Sequence, residues 1–557
     1  MRFLADGPDI PDDLLDARDE GQVIFFCGAG VSQHEAGGPN FHQLAKLVVE
    51  DLGSARGSPA RQLLDFAKGV QPIAGVGGMM PADRIFGLLE QEFPSIEVRR
   101  AVSRAIRPTA DAGFGPHRSL IDLSRTPDGI VRLVTTNFDR IFEQAHPGLR
   151  TIDPPVLPDP ARPGSLDGII HLHGKVSLDY VAPESAEFVL SSADFGRAYL
   201  ADGWATDFIR ALMDRYRIVF VGYSADDPPV QYLLEALQPT SAPGRLYALQ
   251  EGEASLAAGL WQHKGVTAIP FSGFQTLWDS LGAWAERARD PDGWRARIAA
   301  MATAGPRSLL PHERGQVANL VSSAIGAETF SRHEPAPPAE WVCVFDPYVR
   351  YDRVRPVDVW DAASSDFDPF ESYGLDSDPP PRRSEDETMI EQREVPKASW
   401  SALEAIATDE PGGRAPAVQS VRGPTASHPP ALPKRLFRLA RWFGRVATDP
   451  IAIWWAAGQN ALHPDMLKFA QRDVLQDGVD AAVRNAWRCI SAALREPPSD
   501  AQDPWILQHA VAIEGWSTLS LQRLLEIERP RLVVLRPTTS PISTPEEART
   551  LVYIDVA

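Results

Sequence analysis

The feature of the sequence that most constrains the fold is a run of large apolar residues leading into a glycine-rich turn, Val23-Ile24-Phe25-Phe26-Cys27-Gly28-Ala29-Gly30-Val31-Ser32. A continuous apolar run of this length is typical of a parallel β-strand covered on both faces. Glycines at its exit let the backbone approach a bulky group, and N–H groups at the start of a following helix attract an anion without a lysine. The turn therefore predicts a nucleotide phosphate site, although similar turns also occur in α/β proteins that bind no nucleotide.

Strand-like and helix-like segments alternate over residues 1–290, which predicts an α/β domain with a Rossmann-type parallel sheet. We expect strands at 23–26, 130–135, 168–172, 217–221, 245–249 and 266–271. The stretch 41–123 is too long for a simple crossover, and its apolar residues have helical spacing, so we expect a helical insertion there. A capping box at Ser272-Gly273-Phe274-Gln275 predicts the helix that closes the domain.

Beyond residue 290 the sequence predicts a mostly α-helical region in three parts. Residues 291–345 have the pattern of a helical connector, with a candidate short strand at 340–345. Residues 346–433 are rich in Asp, Glu, Pro and Ser, and this composition cannot bury enough apolar surface to offset chain entropy. We expect a largely disordered linker or insertion there, with at most a helix at 398–407. Residues 434–557 combine helical periodicity with several tryptophans, which indicates packed antiparallel helices and a regulatory or sensor region.

Composition disfavours several classes of function. The chain has 557 residues and a net charge of −19, which argues against a broad nucleic-acid-binding face and against attraction to an anionic membrane. Its cysteines, Cys27, Cys343 and Cys489, are too widely spaced for a disulfide framework or a zinc site. No apolar stretch reaches the roughly 18 residues that a membrane span needs. We therefore expect a cytoplasmic protein that binds no metal, nucleic acid or membrane.

Three further expected strands end in polar side chains or glycine. The residues concerned are Thr136, Asn137 and Asp139 after the second strand, His171 and His173 at the third, and Gly222, Ser224 and Asp226 after the fourth. Open parallel sheets bind ligands outside the carboxyl ends of their strands, where these side chains would meet. Each group also has a structural interpretation. The Asn137–Asp139 stretch could cap a helix near Arg140, Asp227-Pro228 could begin another, and the two histidines could bind a metal only with a third ligand that is not apparent.

Together the four stretches resemble the nucleotide-binding fold of the sirtuins over residues 20–290. Gly28-Ala29-Gly30-Val31-Ser32 resembles the sirtuin Gly-Ala-Gly-Ile-Ser turn, and Gly38-Pro39-Asn40-Phe41 its Gly-Ile-Pro-Asp-Phe continuation. Thr136-Asn137-Phe138-Asp139 resembles the Gln-Asn-Ile-Asp element, His173-Gly174 the catalytic His-Gly, and Gly222-Tyr223-Ser224 the Gly-Thr-Ser that holds the adenosine half.

The departures from this pattern bear on the activity. Deacetylating sirtuins hold a structural zinc with two Cys-x-x-Cys pairs, which three scattered cysteines cannot supply. His42 stands where the family usually has arginine, and Thr136 replaces glutamine. In these respects the chain is similar to the bacterial defence-associated sirtuins. That similarity implies hydrolysis of NAD⁺ to nicotinamide and ADP-ribose in anti-phage defence, in which NAD⁺ depletion aborts the infection.

The resemblance also implies roles for individual residues. Asn137 would orient a water or a ribose hydroxyl, and His173 would accept a proton, with His171 as the competing base. Asp139 would hold the nicotinamide amide and Phe41 would pack against the ribose. The pyrophosphate would bind at Gly28, Ala29, Gly30 and Ser32, and the adenosine ribose at Gly222, Ser224 and Asp226. Thr136 would be a further contact with NAD⁺. Expected partners are NAD⁺, further copies of the chain and a phage protein as trigger. The alternative is a module that senses NAD⁺ or ADP-ribose without turnover, and a protein deacylase is disfavoured.

Overall fold

The computed structural model of the chain forms two compact units, Met1–Pro291 and Asp292–Ala557. It describes residues 1–68, 82–162, 164–225, 234, 244–345, 434–449, 452, 453, 456, 464–474, 478–481, 483, 484 and 487. The expected linker at 346–433, its helix at 398–407 and the helix start at Asp227-Pro228 lie outside the described residues.

The described residues of the first unit form a seven-stranded, fully parallel sheet. Its strands are β1 Val23–Cys27, β2 Arg132–Thr135, β3 Thr151–Ile152, β4 Gly168–His171, β5 Arg217–Val221, β6 Leu246–Glu251 and β7 Thr267–Phe271. They lie in the order β3-β4-β2-β1-β5-β6-β7. The predicted Rossmann-type α/β sheet is confirmed. The edge strand β3 was not expected, because two residues are too few to show a strand pattern.

The strands that carry the four polar stretches end in line with one another. Cys27 of β1 pairs with Thr135 of β2 and Val221 of β5, and Thr135 pairs in turn with His171 of β4. After β1 the chain continues to β2, the neighbour of β1 on one side in the strand order, and after β5 it continues to β6, in the opposite direction. The adjacent exits of β1 and β5 therefore form the topological switch point of the sheet. A crevice for a ligand is expected there.

Helices cover both faces of this sheet. The helices with described bounds in the first unit are α1 Asp12–Asp19, α2 Gly30–Gln33, α3 Phe41–Asp51, α4 Pro59–Lys68, α5 Ala82–Glu92, α6 Ser95–Ala105, α7 Gly115–Leu123, α8 Ile141–Ala145, α9 Ser192–Phe195, α10 Trp204–Met213, α11 Ala254–Trp261 and α12 Phe274–Arg289, with a π-helical turn at Gly196–Ala201. Phe25 and Cys27 of β1 point to a core shared with α1, α7 and α12. Ile24 and Phe26 point to the opposite core, which contains α10 and Trp261. Both faces of β1 are buried, which explains its uninterrupted apolar sequence.

A third core belongs to the helical insertion. Helices α3 to α6 pack around Leu44, Phe86 and Val102, together with Phe138 and Phe188 from the segments that follow β2 and β4. Where it is described, at 41–68 and 82–123, the insertion is therefore helical as predicted. Its last helix, α7, instead packs on the sheet through Leu120 and Ile121.

Two local predictions are wrong. The helix α12 begins at Phe274 with Gly273 as N-cap and no side-chain cap. The predicted capping box therefore starts one residue too early for Ser272 to reach the third helical N–H group. Residues 340–345 contain a helix, Trp341–Phe345, and not a strand. Trp341 donates from Nε1 to Ala302 O at 2.7 Å, and its ring stacks on Phe345 four residues later, as a helical turn requires.

The second unit is helical where it is described. Its helices are α13 Pro291–Ala302, which begins at the boundary, α14 Pro311–Val321, α15 Ala324–Arg332, α16 Trp341–Phe345, α17 Lys434–Val446 and α18 Pro464–Val474. Trp442 is buried with its ring against Phe330 and Phe345, and its Nε1 donates to Pro337 O at 2.8 Å. Trp487 is also buried. No helix among the described residues is long and apolar enough to cross a membrane.

Candidate functional site

Glycines at the switch point allow two strand exits to touch. A Cβ added to Gly30 would lie 2.8 Å from Gly222 Cα, and one added to Gly28 would lie 2.7 Å from the Tyr223 ring. Gly222 has a φ of +73°, and a Cβ there would lie 2.6 Å from Val31 N. These positions therefore require glycine because of contacts within the protein itself.

The backbone N–H groups of Gly28, Ala29 and Gly30 differ in whether they have a hydrogen-bond partner. Gly28 N donates to Val221 O and Gly30 N to Gly222 O, each at 2.9 Å. These bonds hold the β1 and β5 exits together. Among the described residues, the N–H of Ala29 has no hydrogen-bond partner. Of these three N–H groups, that of Ala29 is therefore the one available to a phosphate oxygen.

Asn137 is fixed at the end of β2 by its own amide. Its Nδ2 donates to Gly28 O at 3.1 Å and to Ser32 Oγ at 3.2 Å. Because a carbonyl oxygen only accepts, the amide must turn its nitrogen toward Gly28. The Oδ1 atom has no partner among the described residues, so it can accept a hydrogen bond from a ligand or a water.

Ser32 connects Asn137 to two buried titratable groups. Its Oγ donates to Asp139 Oδ2 at 3.0 Å and lies 3.2 Å from His117 Nε2. Burial raises the pKa of Asp139 against the opposing hydrogen bonds from Ile141 N and Ser32, and burial lowers the pKa of His117 to about 3. Asp139 Oδ1 also accepts from Ile141 N at 3.1 Å. Ile141 is the first residue of α8, whose N-cap is Arg140 and has no side-chain cap, so Asp139 bonds the first N–H group of the helix without being its N-cap.

His173 lies just beyond β4 in an aromatic environment. Its Nε2 is 2.8 Å from the hydroxyl of Tyr199, and the Phe195 ring packs at right angles to its imidazole. Burial lowers the pKa of His173 to about 3, so the imidazole is neutral at pH 7. The next residue must be glycine, because Gly174 has a φ of +87° and a Cβ there would lie 2.3 Å from Glu187 O.

His171 has a different environment from His173. It is completely buried, its Nδ1 lies 3.2 Å from Asn137 O, and its Nε2 lies 3.2 Å from Glu143 Oε1. It does not line the cavity described below. His171 is thus held within the protein, away from the position that a base would need. Among the described residues no group of histidine, cysteine, aspartate or glutamate side chains could hold a metal ion.

A cavity of about 530 Å³ opens at this edge of the sheet. The predicted site residues that line it are Ala29, Gly30, Ser32, Phe41, Thr136, Asn137, Asp139, His173, Gly222 and Ser224. Gly28 is covered by Tyr223 and does not line the cavity. Asp226 lies outside the described residues. The structure therefore brings together side chains from four separate strand ends, within the volume range usual for ligand pockets.

Several residues at the site were not predicted from the sequence. Tyr223 covers Gly28, and its hydroxyl lies 2.7 Å from Thr136 Oγ1 and donates to Cys27 O at 3.1 Å. Gln250 and Glu251 line the cavity from the end of β6. Gln250 and Glu251 could have been found by the same rule, that ligands bind at the carboxyl ends of parallel strands. Tyr199 leaves no such signal, since only folding brings it to His173.

A parallel sheet with a cavity at its switch point is the arrangement in which open α/β proteins bind nucleotides. Within this class, residues 131–269 match the SIR2-like domain. This match supports a sirtuin-like family for that region and relates it to NAD⁺, since SIR2-like domains are commonly NAD⁺-dependent enzymes. The matched region contains Asn137, Asp139, His173 and Gly222.

A relative gives a second comparison. The chain is 33% identical over 326 residues to the "Uncharacterized protein y4cA" of Sinorhizobium fredii. The match covers 55% of this chain and 26% of the relative, so the chain spans about a quarter of the relative's length.

Proposed function

We propose that the first unit hydrolyses NAD⁺ to nicotinamide and ADP-ribose. The observation that carries this proposal is the presence of Asn137 and His173 on the wall of one cavity, beside the glycine turn at the switch point. Cleavage of the bond between nicotinamide and ribose gives the sugar oxocarbenium character. The site must therefore orient a water and bind ribose hydroxyls without placing a competing nucleophile beside the sugar.

In this mechanism Asn137 presents Oδ1 to the attacking water or to a ribose hydroxyl. Its amide is held through Nδ2 on Gly28 O and Ser32 Oγ, so orienting the water costs little side-chain entropy. The carboxyl of Asp139 would bind the amide of the leaving nicotinamide. The N–H of Ala29 would donate to the pyrophosphate, and Phe41 would pack against the ribose.

His173 enters the reaction as a neutral imidazole. With Nε2 at Tyr199, its other ring nitrogen is the one left to accept a hydrogen bond from a ribose hydroxyl. Two phosphate charges bound nearby would favour the protonated form and so make His173 a stronger base than it is in the empty cavity. The residues of the adenosine half would be Gly222 and Ser224, with Asp226 and the newly found Glu251.

A second candidate is a module that binds NAD⁺ or ADP-ribose without turnover. The low pKa of His173, about 3, favours it, because a group that binds protons so weakly is a poor general base at pH 7.

We also propose a biological setting on the basis of the sequence resemblance. The hydrolase would act in the cytoplasm and abort phage infection by NAD⁺ depletion, with a phage protein as trigger. The chain would assemble with copies of itself. Residues 434–557 would serve as the regulatory or sensor region, joined through the connector at 291–345 and the linker at 346–433.

The test is nicotinamide release from NAD⁺ by the full chain, measured in cell extract with and without phage infection. Asn137→Ala and His173→Ala should abolish release, whereas His146→Ala, which alters an exposed histidine at the end of α8, should not. Calorimetric binding of NAD⁺ to the same proteins separates the two candidates. Binding without release under every condition would favour the sensing module, and normal release by Asn137→Ala would refute the proposed mechanism.

A further inference from the structure

The hydroxyl of Ser32 lies at the centre of a buried hydrogen-bond network beside the cavity. Its Oγ lies 3.2 Å from Asn137 Nδ2, 3.0 Å from Asp139 Oδ2 and 3.2 Å from His117 Nε2. We call these residues the serine network, and all of them are buried. Ser32, Asn137 and Asp139 line the cavity, whereas His117, on α7, lies behind its wall.

The partners of Ser32 fill the hydrogen-bonding capacity of its hydroxyl. A hydroxyl group donates one hydrogen bond and accepts two. Asn137 Nδ2 takes one acceptor position, because the amide must turn this nitrogen toward Gly28 O. The single proton of Ser32 can then go to Asp139 or to His117, but not to both. If it goes to the Asp139 carboxylate, His117 must donate to Ser32 from Nε2, and every position on Ser32 is taken.

The second ring nitrogen of His117 distinguishes this arrangement from its reverse. Burial lowers the pKa of His117 to about 3, so the imidazole carries one proton at pH 7. In the reverse arrangement a protonated Asp139 donates to Ser32, Ser32 donates to His117 Nε2, and the imidazole proton lies on Nδ1. His117 Nδ1 is buried and has no hydrogen-bond partner among the described residues. A buried N–H group without an acceptor is rarer in proteins than a buried acceptor without a donor. The surroundings of Nδ1 therefore favour a lone pair there and the proton on Nε2.

We infer that His117 is a positioning residue that donates from Nε2 to Ser32, directs the Ser32 proton to Asp139, and so holds the Asp139 carboxylate and the Asn137 amide on the cavity wall. Ser32 then has no hydrogen-bonding position left for a phosphate oxygen, so it serves the nicotinamide end of the cavity and not the pyrophosphate. The consequences for turnover rest on the proposed function, whereas the tautomer of His117 and the filled positions of Ser32 do not.

The tautomer is tested by NMR in the full chain labelled with ¹⁵N-histidine, with His117→Gln used to assign the signal. A proton on Nε2 at pH 7 supports the inference, and a proton on Nδ1 overturns it. This measurement requires neither a ligand nor turnover.

Ligand affinity separates the positioning role of Ser32 from a phosphate contact. ADP has the adenosine and both phosphates of NAD⁺ but lacks the nicotinamide half. In calorimetry Ser32→Ala should change ADP affinity by less than about twofold and lower NAD⁺ affinity by about threefold to tenfold, because a less restrained Asp139 binds the nicotinamide amide less well. An equal loss for both ligands, or no loss for either, would overturn the inference. Ser103→Ala is the matched control, since Ser103 is a buried serine of α6 that donates to Arg99 O and lies outside the cavity.

Kinetics supply the third test. His117→Phe should lower kcat for nicotinamide release by about tenfold to a hundredfold, whereas His117→Gln, whose amide can still donate to Ser32, should stay within about threefold of the wild type. Because His117 acts through Ser32, adding His117→Phe to Ser32→Ala should lower kcat by less than about twofold more. Losses that multiply in the double variant would overturn the inference. A wild type that neither binds nor cleaves NAD⁺ would instead refute the proposed function, and the tautomer of His117 would still decide this inference.

Discussion

Substitution of Gly30 by alanine tests the contact on which the whole site depends. A Cβ at this position would lie 2.8 Å from Gly222 Cα and 2.9 Å from Gly222 O, both of them backbone atoms. Backbone atoms cannot move aside by a change of rotamer, as the end of a flexible side chain could. The exits of β1 and β5 would have to separate by several tenths of an ångström, and the bond from Gly30 N to Gly222 O would be lost or weakened.

The expected loss of stability follows from these two effects. Overpacking of a close-packed contact costs about 1–3 kcal/mol, and loss of one buried hydrogen bond adds about 1 kcal/mol. We therefore expect Gly30→Ala to lower the free energy of unfolding by about 2–4 kcal/mol. For a unit of this size that corresponds to a fall in Tm of roughly 5–15 °C. Gly259→Ala is the matched control, because Gly259 lies within α11 and a Cβ there meets nothing within 4 Å.

The assay is thermal unfolding by circular dichroism, with and without NAD⁺. Gly259→Ala should match the wild type or gain up to about 1 kcal/mol, as expected for alanine in a helix. Gly30→Ala should melt at a lower temperature, and added NAD⁺ should raise its Tm less than that of the wild type. A Gly30→Ala protein that melts within a degree of the wild type would refute the argument that the two strand exits require this glycine.

Two further predictions follow from buried groups at the site. His117 and His173 have a folded-state pKa of about 3 and an ordinary value of 6.5, so their contribution to stability is complete above pH 6.5 and is lost as the pH falls. Each should cost about 2–3 kcal/mol at pH 4.5, so urea unfolding of His117→Phe should show a shallower acid loss than the wild type, and an equal loss would contradict this. Tyr223→Phe keeps the ring over Gly28 but loses the hydroxyl contacts with Thr136 and Cys27, and urea unfolding should show a loss of about 1–3 kcal/mol. An unchanged urea midpoint in Tyr223→Phe would show that these hydrogen bonds contribute nothing to the free energy of unfolding.

The strand ends could be predicted from sequence because each one is marked by residues that are adjacent in the chain. An apolar run that stops at Gly28, Thr136 or Gly222 marks both the end of a buried strand and the edge at which ligands bind. Since parallel strands place their carboxyl ends on the same edge, the prediction brought these residues together without any knowledge of register. The structure adds the alignment of Cys27 with Thr135 and Val221.

The partners of those side chains could not be predicted, because they are far away in the sequence. Ser32 meets His117 across 85 residues, and Tyr199 meets His173 across 26. Arg140 and Lys175 are charged residues that only the fold buries. The wrong prediction at 340–345 has a similar cause: a short apolar segment fits a strand or a buried helical turn, and packing on the surrounding helices decides between them.

The two histidines of β4 and its exit show how environment assigns different roles to one residue type. His173 is surrounded by the rings of Phe195 and Tyr199, which cannot balance a positive charge, and it is therefore neutral. His171, two residues earlier, is completely buried beside Asn137 O and Glu143 Oε1 and does not line the cavity, so it has no place in the proposed reaction. The neutral state of His173 follows from its aromatic neighbours, so Phe195→Glu, which places a carboxylate beside the imidazole, should bring His173 closer to the protonated form.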